Sequence, residues 1–286
     1  MMIEKLHDFP MSHEDLQKIY SEDPCGLIHL ILKLDIFLNK NGDEDLLLRK
    51  INFLTYELKS FCNGLHEQDK IIILNEYFFG ANNFYSLAES SCLSEDLSLN
   101  QLFTSKKGNC LLLAIVYQYF ANQIDLAIYA IGLQPIHIMK WYSNKKCFYI
   151  DLNRQGKIFK HDEILKIINC YNKGQDSFDA LNNEQLFNTY LDELISALER
   201  NGSHEQLLTC LSLALFINEN DLKALKNRGL LYYKNGYYNE ALMDLKKYFS
   251  FTDFACTPQE IKTVYQKLIE IKKTEELITP ISEHLH

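Results

Sequence analysis

The sequence predicts an α+β protein that is mostly helical, and three observations carry that prediction. Runs with the apolar spacing of helices open the chain between about Glu14 and Cys62. Short β-branched and aromatic segments then follow one another between Leu126 and Leu152. A helical pattern with a 34-residue period occupies the last third of the chain. The expected organisation is a helical lead-in with an α+β core over residues 1–170, a polar connector over 171–185, and helical repeats with a terminal capping helix over 186–286.

Each element follows from local chemistry. Leu27, Ile28, Leu30, Ile31, Leu34, Ile36, Phe37 and Leu38 make a broad apolar helical face, which Asn41-Gly42 interrupts and Leu46-Leu47-Leu48 resumes as far as Cys62-Asn63-Gly64. His29 falls on that face and reads as a core residue. Asp69 to Phe79 is another apolar run, ended by the turn-prone Gly80 to Asn83, and residues 84–107 read as irregular. Cys110 to Ala121 is apolar nearly all round, the mark of a central buried helix. Strands are expected over Leu126–Leu133, Ile136–Tyr142 and Cys147–Leu152, with a shorter one at Ile158-Phe159 and a helix over Asp162–Ile168.

Past the connector the chain repeats itself. Asn201-Gly202 recurs as Asn235-Gly236, Leu207-Leu208 aligns with Ala241-Leu242, and Leu215 aligns with Phe249. Paired helices at this period with glycine at the turn are the tetratricopeptide pattern, and Phe254 to Thr274 supplies a helix to close the array. Such arrays present grooves to peptides, so a protein or peptide partner is expected.

Composition narrows the function. With 286 residues, 47% hydrophobic and 12% aromatic, the chain can bury real cores without covalent cross-links. Its eight cysteines (25, 62, 92, 110, 147, 170, 210 and 256) include no CxxC pair, and Met1 to Tyr20 is charged rather than built as a secretory leader. The expected location is the reducing cytoplasm. A net charge of -9, from 38 acidic against 29 basic residues, argues against a nucleic-acid surface, which needs clustered cations. No apolar run reaches the roughly 20 residues of a membrane span. The histidines and cysteines lack ligand spacing and no glycine-rich phosphate loop is present, so neither metal nor cofactor is expected.

The chemistry gathers at Cys110. A thiol in the first turn of a helix feels the positive end of the helix dipole, which favours thiolate. His137 could serve as base and Asp151 could orient it, the arrangement of a cysteine nucleophile for acyl transfer. Gly108 leaves room for a close approach, Asn109 either donates to a developing oxyanion or caps the helix, and Trp141, placed to share a face with His137, either walls the pocket or is an ordinary buried aromatic of the sheet. Asn75 and Asn83 lie upstream, where the lead-in could reach the cleft. A three-residue loop, Ser143-Asn144-Lys145, would pair Tyr142 with Lys146 and set His137 directly opposite Asp151 on one face of the sheet, whereas a two-residue or four-residue loop would put Asp151 on the opposite face from His137.

The stretch Lys107-Gly108-Asn109-Cys110-Leu111-Leu112-Leu113-Ala114-Ile115-Val116-Tyr117, with Gln134-Pro135-Ile136-His137-Ile138 and Phe148-Tyr149-Ile150-Asp151, resembles the SirB family. The resemblance implies a transglutaminase-like, papain-like cysteine core followed by tetratricopeptide repeats. It assigns Cys110 as nucleophile, His137 as general base and Asp151 as orienting acid, in a hydrolase or acyl transferase acting on amide bonds. Ile136 stands where the family commonly has glycine, which narrows access to the imidazole. Many members lack the cysteine, so the resemblance also implies an alternative: a non-catalytic regulatory scaffold that engages partners through its repeats.

Overall fold

The structure is a computed structural model, and it describes residue 17 and residues 24–39, 43–87, 93–132, 138–168, 179–201 and 203–282. The chain divides into two compact units, within Asp8–Ala197 and within Leu198–His286.

In the first unit, helices α1 (Pro24–Asn39), α2 (Glu44–Cys62) and α3 (Glu67–Asn75) form the lead-in, and α3 runs on into a π-helical turn at Glu76–Ala81. Helix α2 starts where Asp43 accepts a hydrogen bond from Leu46 N–H, a side-chain cap. It buries Leu47, Ile51, Leu54 and Leu58 at helical spacing. His29 is exposed, against the expectation of a core position. Its neighbours Ile28 and Leu30 are buried, so the apolar face of α1 turns inward on either side of it.

The described parts of residues 84–107 are more regular than expected. Strand β1 (Tyr85–Ser86) pairs in parallel with β2 (Lys107–Gly108), and a 3-10 turn (Ser94–Leu97) and helix α4 (Leu99–Ser105) lie between them. The buried carboxylate of Asp35 on α1 holds the start of α4, accepting from Ser98 Oγ and Asn100 N–H, both at 3.0 Å. Helix α5 (Cys110–Gln123) buries every residue from Cys110 to Ala121, as its all-round apolar composition predicts.

A four-stranded antiparallel meander follows: β3 (Ile128–Ala130), β4 (Ile138–Ser143), β5 (Lys146–Asp151) and β6 (Lys157–Lys160), in that spatial order. Helix α6 (His161–Ile168) packs Ile164 into a cluster with Ile138, Tyr149 and Phe159 on one face of the sheet. The loop between β4 and β5 corrects the expected register. Ser143 pairs with Lys146, leaving a two-residue turn with Asn144 and Lys145 both at positive φ, 50° and 63°. This backbone twist matches that of the flanking strands, which is why two-residue hairpins adopt it. Asp151 accordingly pairs with Ile138, and Trp141 lies on the opposite face from Asp151, stacked on Phe148 at 5.2 Å.

Helix α7 (Asn183–Asn201) contains the division between the units. The second unit continues with α8 (His204–Ile217), α9 (Leu222–Lys234), α10 (Tyr238–Phe251) and α11 (Gln259–Ser282). Helices α8 and α10 are both 14 residues long and displaced by 34 residues at both ends. Gly229 lets α9 and α10 touch, because a Cβ there would lie 2.9 Å from Leu245 Cγ. Beside it, Arg228 donates from Nε and Nη2 to the two carboxylate oxygens of Asp244 at 2.7 and 2.8 Å.

Candidate functional site

Cys110 begins α5 because of what precedes it. Asn109 is held by a hydrogen bond from its N–H to Asp96 O at 2.7 Å, and its Oδ1 accepts from Leu111 N–H at 2.6 Å, so the side chain caps the helix. Of the two roles open to Asn109 from sequence, capping is the one its side-chain oxygen performs here. Gly108 allows close packing: a Cβ there would meet Leu102 Cδ1 at 3.0 Å, Leu113 Cδ1 at 3.2 Å and the backbone oxygen of Asp96 at 3.5 Å. Cys110 retains only 3% of its surface.

The sulfur faces a residue that the sequence did not single out. Cys110 Sγ donates to Asn153 Oδ1 at 3.3 Å. Asn153 belongs to the 3-10 turn Leu152–Arg154 that directly follows β5, and Asp151 initiates that turn by accepting from Asn153 N–H at 3.0 Å. The sequence signal was present in retrospect: an aspartate at a strand end, with Asn153 two residues on and Gly156 closing the turn, is an Asx-type pattern.

Asp151 is 5% exposed. Burial pushes its carboxyl above the ordinary value of 3.8, while Arg154, the backbone N–H groups of Asn153 and Arg154, and Lys157 pull the other way. Arg154 Nε lies 3.4 Å from Asp151 Oδ2 on a side chain that is 53% exposed, so the attraction is screened. Cys110 and Asp151 are therefore linked through Asn153. His137 lies outside the described residues.

A second chain of hydrogen bonds ties this turn to α5. Tyr117 Oη donates to Asn75 Oδ1 at 2.7 Å, and Asn75 Nδ2 donates to Gly156 O at 3.0 Å. Burial pushes the Tyr117 phenol well above its usual range, which keeps it a donor. Gly156 sits at φ 76°, and any Cβ there would collide with the Asn75 side chain. Asn75 thus reaches the turn beside the site from the end of α3, whereas Asn83 has φ 51° and follows the π-helical turn. Among the described residues no group of three or more His, Cys, Asp or Glu is placed to hold a metal ion, and no described helix is long and apolar enough to cross a membrane.

Residues 47–200 match the family described as the Transglutaminase-like superfamily. A solved structure titled "Crystal structure of menin reveals the binding site for Mixed Lineage Leukemia (MLL) protein" is similar at 12% identity and a TM-score of 0.36, covering 81% of this chain and 67% of that one. No curated protein matches.

Proposed function

Since the chain belongs to the transglutaminase-like superfamily, we propose that it is a thiol enzyme of the SirB type, a hydrolase or acyl transferase acting on amide bonds. Cys110 attacks the carbonyl carbon as thiolate, His137 takes the thiol proton and returns it to the leaving amine, and Asp151 orients His137. Water or a second amine then releases the acyl group. The observation that carries this reading is the placement of Cys110 as the first residue of a buried helix, its sulfur hydrogen-bonded to the turn that Asp151 initiates. The dipole of α5 favours negative charge at that sulfur. The 34-residue displacement of α8 and α10 and the close α9–α10 approach at Gly229 support tetratricopeptide repeats in the second unit, there to hold a protein or peptide.

The test is whether His137 controls the thiol. In His137→Ala, carbamidomethylation of Cys110 at pH 6 falls about tenfold or more, while the exposed Cys256 reacts as before. A Cys110 rate indifferent to His137 would remove the enzyme. Two observations favour the second reading, a non-catalytic cytoplasmic scaffold: the 3% exposure of Cys110 and the pairing of Asp151 with Ile138. A cleft in the second unit, lined by Glu199, His204, Asn227, Leu230 and Lys234, offers that scaffold a place for a partner.

A further inference from the structure

Asn153 is exposed, yet its carboxamide oxygen reaches within 3.3 Å of a sulfur that is otherwise enclosed. The backbone beneath it is fixed from several sides. Asp151 accepts from Asn153 N–H, Gly156 N–H donates to Asp151 O at 3.0 Å, and Gly156 O is held by Asn75, itself held by Tyr117 two turns along the helix that Cys110 begins. These hydrogen bonds hold the backbone of the turn, and Asn153 at its tip is exposed.

We propose that Asn153 is a gate on Cys110, occupying the space beside the sulfur that an acyl carbonyl must enter. The proposal rests on the reading of Cys110 as nucleophile. A carbonyl carbon has to approach to about 3–3.5 Å before sulfur can attack, and the Asn153 oxygen already stands at that distance. The two cannot occupy the place together. An exposed side chain changes rotamer in picoseconds to nanoseconds, and opening breaks one neutral hydrogen bond while the anchored backbone stays put. The gate therefore opens readily for a slim acyl group and resists one that is bulky beside its carbonyl, which makes Asn153 a specificity-determining residue.

The test measures alkylation of Cys110 by iodoacetamide and by the bulkier N-ethylmaleimide, read by peptide mass, in wild type, Asn153→Ala and Asn153→Leu, each with and without His137→Ala. Asn153→Ala keeps the backbone bond to Asp151, and an unchanged rate at Cys256 verifies the fold. Asn153→Ala should raise the Cys110 rate about fivefold, more for the maleimide, and Asn153→Leu, which covers without accepting a hydrogen bond, should leave the maleimide rate at or below wild type. No acceleration in Asn153→Ala, or equal acceleration in Asn153→Leu, overturns the gate. If Asn153→Ala accelerates Cys110 while His137→Ala changes nothing in either background, the gate stands and the catalytic reading falls. If His137→Ala slows Cys110 but Asn153→Ala does not speed it, the catalytic reading stands and the gate falls.

Discussion

At Asp244 in the second unit, an arginine meets both carboxylate oxygens, at 2.7 and 2.8 Å, from a side chain that is 21% exposed. At Asp151 in the first, an arginine approaches one oxygen, through one nitrogen, at 3.4 Å from a side chain that is 53% exposed. The forked geometry at Asp244 pairs charge and hydrogen bonds together, and the strength of that bond to Asp244 lifts the already basic guanidinium of Arg228 higher still against the cost of burial. The single loose contact at Asp151 leaves burial dominant, and the carboxyl is pushed upward. The difference separates a carboxylate matched on both oxygens from one more loosely matched, at the start of the turn whose Asn153 touches the Cys110 sulfur.

The contrast can be broken most forcefully at Asp244. Asp244→Ala strands the Arg228 guanidinium, and the second unit should lose about 3 kcal/mol, seen as a lower midpoint in chemical denaturation of the full chain. A midpoint unchanged from wild type would mean the pair is no better matched than the one at Asp151. Gly156→Ala comes next. It places a Cβ at φ 76° against Asn75 and should cost the first unit about 2 kcal/mol, with faster alkylation of Cys110 as the 152–156 turn loosens. Loss of stability with no change at Cys110 would show that the turn does not govern the thiol.

The smallest effect sharpens the comparison with a third carboxylate, Asp35, which is buried and, among the described residues, held by neutral donors: Asn39 Nδ2, Ser98 Oγ and the N–H groups of Leu99 and Asn100. Burial raises its carboxyl above the ordinary 3.8 despite those bonds. The folded state then holds a proton that the unfolded chain has already released. The stability this provides is complete below 3.8 and is lost as pH rises through the raised folded value. Denaturation midpoints taken from pH 3.8 upward should fall more steeply in wild type than in Asp35→Asn, and parallel curves would show that Asp35 ionises as freely as in the unfolded chain.

Much of the fold was legible because it is written in local pattern. The buried helix at Cys110 follows from an asparagine cap and an apolar run without a polar face, and the 34-residue spacing of α8 and α10 shows as a recurring Asn-Gly with Leu207-Leu208 matched to Ala241-Leu242. The hairpin register was not legible. Its two-residue turn uses Asn144-Lys145 where the usual signal is Asn-Gly, and lysine in a left-handed conformation has no sequence signature. Asn153 was missed for a related reason, since its importance comes from a residue 43 positions away.

The order of the elements, the helix that presents Cys110 and the 34-residue displacement of α8 and α10 were set by residues close in the chain, through capping, periodicity and turn chemistry. Which side chain stands on the sulfur, which strand residue faces Asp151 and which glycine must yield to Asn75 were settled by contacts between residues 43, 13 and 81 positions apart. Local preferences act over a few residues and leave strand register nearly degenerate. A shift of one residue in one turn changes every face of the sheet, and only packing of the whole unit selects among the registers.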